Sequence, residues 1–240
     1  AEIRKSIIVV SGDMMVTPPI PERLEKMGWT DGLAASDGRA LVQYYRATRD
    51  GRLAFGKGGM SGTFSFGNKV GAEVEGASPS SGAVLAAMHK TFPNLADVGM
   101  AKSWRGPIDR SKSGLPLFSR LGSAENVFYA VGFSGNGLGP CQMAGRVLAS
   151  LVLERQDEWS GCGLVRQGTR DFPPEPFRLL GSKMIRRALL AKDQADDEGR
   201  EPSLAARLGA RLAPAGVSPF KAMPDGSDET TAPVSTATAE

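Results

Sequence analysis

The sequence predicts an α+β fold on three observations. Leu41 to Thr48 and Arg52 to Phe55 are β-rich runs joined by Arg49-Asp50-Gly51. An Asp-Gly pair between such runs signals an antiparallel hairpin whose two turn residues take positive φ. Asn126 to Leu153, NVFYAVGFSGNGLGPCQMAGRVLASLVL, reads as strand, glycine-rich turn and helix in succession. Phe177 to Leu190 sets Leu180, Met184, Ile185, Ala188 and Leu189 at helical spacing, with Lys183, Arg186 and Arg187 between them.

The remaining elements follow in chain order. Ile7 to Val10 form a buried strand, which Met14 to Val16 continue after a kink at Gly12. Thr17 to Glu22, TPPIPE, breaks the chain. A helix capped by Ser80 or Ser81 carries Val84, Leu85, Met88 and Phe92 on one face and stops at Pro93. His89 lies on this helix without a carboxylate or nucleophile nearby in sequence, and reads as a helix residue. Trp104 to Arg120 is expected to be irregular, because Pro107, Gly114 and Pro116 interrupt both periodicities. In the helix after the glycine turn, Met143, Val147, Leu148, Leu151 and Val152 make the apolar face, and Pro140 suits its first turn. A short helix is expected at Leu204 to Leu212, and the polar stretch from about Lys221 reads as a disordered tail.

Composition narrows the function classes. The 240 residues carry 29 basic and 26 acidic side chains, a net charge of +3. That excess is small, and no tract interleaves aromatic with basic residues, so nucleic acid is not an expected partner. No run approaches the roughly 18 apolar residues of a membrane span. The opening AEIRKSIIVVSGD falls short of the roughly 7–15 apolar residues of a secretory leader. Cys141 and Cys162 have neither a disulfide framework nor zinc-site spacing around them, which points to a reducing, cytoplasmic setting and to no metal.

The glycine turn carries the clearest chemistry. Gly132, Gly135, Gly137 and Gly139 let the backbone bend sharply and leave its amides uncovered. The helix that follows offers free N–H groups and a partial positive charge, which suit a phosphate or another electron-rich group. A tight turn with no ligand is the alternative. The spacing is not the dinucleotide fingerprint, because Pro140 stands where G-x-G-x-x-G needs its last glycine.

Four segments together resemble the later half of the D-amino-acid-oxidase-like family of FAD-dependent amine and amino-acid oxidoreductases. They are MVTPPIPE, YYRATRDGRLAFGKGG, WRGPIDRSKSGLPLFSRL and the Asn126–Leu153 stretch, in register over about residues 5 to 215. They look most like γ-glutamylputrescine oxidoreductases, and PPEPFRLLGSKMIRRAL is similar to a segment of aminophosphonate oxidoreductases. The resemblance implies a mostly antiparallel substrate-domain sheet with flanking helices over residues 1–122. It implies the C-terminal strand, glycine loop and helix of an FAD-binding domain over 123–155, then a helical extension over 156–220 and the tail over 221–240. It implies FAD as cofactor, contacted by Gly132, Phe133, Ser134, Gly135, Asn136, Gly137, Leu138 and Gly139, with Gly56, Gly58 and Gly59 close to the flavin ring. Tyr44, Tyr45 and Trp104 would line the substrate cavity. The implied reaction is hydride transfer to flavin from a C–N bond of a small amine or amino-acid-like substrate.

Departures from the family pattern carry expectations too. The G-x-G-x-x-G strand that grips the ADP part of FAD is not in this sequence, so the chain reads as a fragment or as one piece of a split enzyme. Alternatively it is a non-catalytic binding subunit that docks a partner through its basic helix. Pro107 and Ile108 stand where several members place a carboxylate-clamping arginine, and no catalytic base is identified.

Overall fold

The computed structural model describes residues 3–58, 64–165 and 172–213. Gly59 and the predicted tail lie outside the described residues. A short helix, α1 (Ile3–Ser6), leads into β1 (Ile7–Val16), which runs unbroken through Gly12. Helix α2 (Pro21–Lys26) and strand β2 (Ala34–Ser36) precede the hairpin of β3 (Gln43–Ala47) and β4 (Leu53–Gly58). Helix α3 (Ser81–Thr91) then leads to β5 (Lys102–Ser111). The five strands form one antiparallel sheet in the order β2-β3-β4-β1-β5.

The hairpin is where the sequence places it, but its turn is of another type. Only Gly51, at φ 72°, takes a positive φ there; Asp50 does not. Gly51 N–H donates to Thr48 O at 3.0 Å and Thr48 N–H to Arg52 O at 2.9 Å. This is a wider turn with one left-handed glycine, and Asp50 instead accepts from Thr48 Oγ1 at 2.5 Å and Arg52 Nε at 2.6 Å.

The expectation of irregular chain from Trp104 to Arg120 is overturned. β5 runs straight through Pro107, and β6 (Leu117–Leu121) pairs with β7 (Ala124–Val131) in a second hairpin. Proline is tolerated because β5 is an edge strand. Arg105 N–H donates outward to Gly76 O at 2.8 Å, and Ser111 N–H donates outward to Ser134 Oγ at 3.2 Å. Alternation therefore turns the Pro107 nitrogen outward as well, where no ladder bond is lost. Because β6 pairs with β7, a domain boundary at 122 would cut this hairpin.

One sheet face is packed by α3. Met15, Ala47, Leu53 and Phe55 from the strands meet Val84 and Met88 from the helix, and all are buried. The helix stops where Pro93 begins a 3-10 turn, and His89 Nε2 bonds the Val98 carbonyl at 2.9 Å, a fold contact. Helix α4 (Pro140–Val152) packs Ala144 and Val147 on Phe118, with Met143, Leu148 and Leu151 around them, whereas Val152 is exposed.

Helix α5 (Phe177–Asp197) is longer than the periodicity suggested, and α6 (Leu204–Arg211) packs against it around Leu189 and Ala210. Of the expected apolar face of α5, Ile185 and Leu189 are packed, but Leu180 and Met184 are exposed. Two buried polar groups fix this helix to segments that flank the sheet, α1 and the β2–β3 connection. Arg178 donates to the carbonyl of Arg4 at 2.5 Å, and the Asp193 carboxylate accepts from Ala40 N–H and Leu41 N–H at 3.0 Å each. Among the described residues no helix is long and apolar enough to cross a membrane, and no cluster of His, Cys, Asp or Glu could hold a metal ion.

Candidate functional site

The glycine turn between β7 and α4 is held against the open edge of β5. Ser134 N–H donates to Asp109 O at 2.9 Å, and Gly132 N–H donates to Asp109 Oδ2 at 2.5 Å. Ser134 Oγ accepts from Ser111 N–H and donates to Gly132 O at 3.1 Å. These bonds hold Ser134 at φ 58°, a left-handed conformation that a residue with a β-carbon rarely adopts. Gly132 and Ser134 are buried, so the first half of the turn is an anchor. Phe133 packs beside the α4 core.

The second half of the turn is presented outward. Gly135 (φ 90°), Asn136, Leu138 and Gly139 are exposed. Asn136 N–H is used internally, donating to Phe133 O at 2.9 Å. Cys141 N–H donates to Gly137 O at 2.9 Å, so helical bonding begins at Gly137. The amides of Gly135, Gly137, Leu138 and Gly139 find no acceptor among the described residues. Four amides without acceptors, at the start of a helix whose first residue is proline, suit a group that carries negative charge or lone pairs.

Gly135 joins this turn to the sheet face opposite α3. A β-carbon built on Gly135 would stand 3.7 Å from Ile108 Cγ2. On that face the pairing register places Gly58, Gly12 and Gly106 side by side on β4, β1 and β5. The neighbouring row is Tyr44, Gly56, Met14 and Trp104. The three aligned glycines make a trough without side chains of its own. Ile108 and Tyr44 lean into it: a β-carbon on Gly12 would lie 2.9 Å from Ile108 Cδ1 and 3.4 Å from the Tyr44 hydroxyl. Burial, with the charge of Asp13 adding to it, pushes the Tyr44 phenol up to about 12. It is therefore a neutral hydrogen-bonding group at any physiological pH.

The expected site residues divide accordingly. Tyr44 and Trp104 share the glycine face, and Trp104 is 37% exposed. Tyr45 points the other way, as strand alternation requires, and stacks on Phe55 at 5.8 Å between ring centroids, with Trp29 and Phe92 edge-on. Its contacts are those of the core. Gly56 is covered by the Tyr44 ring, and Gly58 faces the backbone of Val42. Gly12, Ile108 and Arg110 were not expected at the site, because only the register of β1 and β5 brings them beside the turn. Two open clefts lie elsewhere, about 830 Å³ between α2 and the β3–β4 turn and about 580 Å³ beside Arg120, Phe128 and Leu151. Neither touches the turn, and the unpaired amides locate the candidate site better than cleft size does.

Comparison with known proteins bears on what this face serves. A family profile described as FAD dependent oxidoreductase matches residues 1–151. The chain belongs to this FAD-dependent oxidoreductase family. Among curated relatives, γ-glutamylputrescine oxidoreductase of Escherichia coli is 29% identical over 151 residues, 63% of this chain and 32% of that protein. A probable oxidoreductase, OrdL, of Haemophilus influenzae is 28% identical over 155 residues, 63% of this chain and 31% of that protein. The chain thus spans about a third of the length of these relatives. The fold is also similar to that of Amadoriase I, a fructosyl amine:oxygen oxidoreductase from Aspergillus fumigatus. That match has a TM-score of 0.55 at 12% identity, over 71% of this chain and 40% of that one. Fructosyl peptide oxidase from E. terrenum gives a TM-score of 0.56 at 10% identity, over 71% and 43%.

The residues present fit part of an FAD. An isoalloxazine edge needs donors for its carbonyl oxygens and N1, which the unpaired amides offer; of the aligned glycines, Gly106 alone has nothing within 4 Å of its β-carbon position, since Ile108 and Tyr44 cover Gly12 and Val42 backs Gly58. The chain carries no G-x-G-x-x-G turn for the pyrophosphate.

Proposed function

We propose that this chain supplies the ring-facing part of the flavin site and the substrate-facing sheet of an FAD-dependent oxidoreductase acting on a C–N bond. The observation that carries the reading is the set of acceptor-free amides of Gly135, Gly137, Leu138 and Gly139 beside the aligned glycines Gly58, Gly12 and Gly106. Those amides would hold the pyrimidine edge of the ring, and the partial positive charge of the α4 start would favour negative charge there. Bound in this place, the flavin supplies the hydride acceptor. The chain's own contribution is positional: Tyr44, Met14, Trp104 and Ile108 bound the space in front of the ring and exclude water from it.

A small amine as substrate is supported by the kinship with γ-glutamylputrescine oxidoreductase. Among the described residues no general base emerges on the glycine face, and a neutral amine needs little beyond desolvation and alignment. In this reading the β1–β5 sheet is the substrate-side unit, and the β6–β7 hairpin with α4 belongs to the flavin-binding unit. A dinucleotide-binding portion bearing G-x-G-x-x-G is the partner that completes the cofactor site.

The test is reconstitution with such a portion, read by flavin absorbance. Gly135→Val is expected to abolish bound flavin while circular dichroism still reports the sheet, because a side chain at φ 90° both strains the turn and covers its amides. Flavin retained by that variant with an unchanged spectrum would defeat the reading.

A further inference from the structure

The outer sides of α5 and α6 carry large apolar side chains in two helical rows. Phe177, Leu180 and Met184 on α5 and Leu204, Leu208 and Leu212 on α6 are each more than half exposed. Spacings of three and four residues keep each row on one side of its helix. The chain leaves α5 at Asp197, yet by Gly209 it is back at Ala188, whose Cβ would lie 2.5 Å from a β-carbon on Gly209. α6 therefore runs back along α5, and the rows adjoin. Ala188 lies one turn beyond Met184, and Gly209 one turn before Leu212. An amphipathic helix ordinarily turns its leucines inward, but α6 buries Ala206 and Ala210 and presents its leucines to solvent. The charge on this side has one sign. No acidic residue occurs from Pro176 to Ala191 or from Ser203 to Ala213. Lys183, Arg187, Arg207 and Arg211 each follow a row residue by three positions, and all four are exposed. None of them is ion-paired among the described residues. The acids at the far end of α5 are engaged elsewhere: Asp193 with Ala40 and Leu41 N–H, Asp196 with Lys192, and Asp197 with Arg39 and Lys90.

We propose that the joined outer faces of α5 and α6 dock this protein on an anionic lipid surface. The two apolar rows enter the boundary between headgroups and acyl chains, and the four flanking cations reach the lipid phosphates on their long stems. Neither helix is long and apolar enough to cross a membrane, so the contact runs along the surface. Two adjoining helices make a convex ridge, and neither of the two clefts reaches it. A fluid surface adapts to such a ridge, whereas a folded partner would need a matching groove. The unbroken positive charge supplies the complement to an acidic leaflet, with each cation adding to the attraction. Because Arg178 and Asp193 pin α5 to the rest of the fold, docking the helix docks the whole chain. This face is separate from the glycine turn and from the functional reading given above.

The test is sedimentation of the whole 240-residue chain with lipid vesicles. Vesicles of phosphatidylglycerol mixed with phosphatidylcholine should bind it saturably. Phosphatidylcholine alone, or the mixed vesicles in high salt, should bind it at least about tenfold more weakly. Leu180→Asp and Leu208→Asp should each cost at least about tenfold in affinity, since a charge then enters the apolar boundary. Lys183→Gln with Arg187→Gln should also weaken binding and flatten its salt dependence. All four positions are exposed, so circular dichroism should report an unchanged fold. Leu115→Asp, at an exposed leucine in the β5–β6 turn, is the control and should bind as the parent chain does. Equal binding to both kinds of vesicle, or full binding by both aspartate variants, overturns the proposal. So does a dimer in light scattering that Leu180→Asp dissociates, which makes a second copy the occupant. Binding that appears only when Val217 and Phe220 are replaced by serine also overturns it, since the chain's own C-terminal segment is then the occupant. The assay needs no cofactor, so a failed flavin reconstitution leaves its result untouched.

Discussion

The ring of Tyr44 occupies the space that a β-carbon on Gly56 would need: Cε2 would be 2.2 Å and Cζ 2.4 Å from it. Met14 Sδ closes the same space at 2.6 Å. The glycine is thus needed by its cross-strand neighbour, and the tyrosine is held flat over the sheet.

Gly56→Ala should therefore displace Tyr44 and destabilise the chain by about 1–3 kcal/mol, the usual range for overpacking. Gly106→Ala is the matched control, since nothing lies within 4 Å of its β-carbon position. It should change stability by no more than about 0.5 kcal/mol. Urea denaturation of the two variants checks the contrast. Equal losses would show that Tyr44 is not confined by Gly56.

Tyr44 also sets an alkaline limit. Its folded pKa, about 12 against an ordinary 10.0, means the folded state holds this proton more tightly than the unfolded chain. The stability it contributes is complete below about pH 10 and is lost as pH rises through 12. Tyr44→Phe should flatten that part of the stability–pH curve and leave it unchanged between pH 6 and 9. Tyrosinate absorbance in a stopped-flow pH jump gives the direct reading.

Glu175 governs the acid side. Burial works to raise its pKa, but the Gly67 N–H bond at 3.0 Å and the Arg178 guanidinium at 2.8 Å outweigh it and hold the carboxyl below its ordinary 4.5. A depressed folded pKa gives stability that is present above about pH 4.5 and disappears as pH falls through the lower folded value. Glu175→Gln should cost about 2–4 kcal/mol at neutral pH, because it leaves the buried Arg178 charge uncompensated. The variant should also lose the corresponding part of the acid slope. Thermal melts from pH 3 to 7 test both parts.

Helix existence was legible because periodicity, Pro140 and Pro93 act locally. α3, α4, α5 and α6 all begin within a residue or two of where their sequence signals fall. The hairpin was legible from Asp50-Gly51, although which residue turns left-handed was decided by the wider hydrogen-bonded loop. β5 was hidden, since a proline inside a strand is permitted only if its nitrogen faces an open edge. Edge position is a property of the assembled sheet.

The sequence by itself determined the family motifs, the glycine turn and the strand that leads into it, because each depends on neighbours a few residues apart. Only the tertiary structure decided which glycines act together. Pairing of β4, β1 and β5 aligns Gly58, Gly12 and Gly106 across more than 90 positions of chain, and strand alternation separates Tyr44 from Tyr45. The same register sets Arg110 on the glycine face and its neighbour Asp109 on the other. Register is a relation between distant segments, fixed by the packing of the opposite face on α3, and no local pattern encodes it.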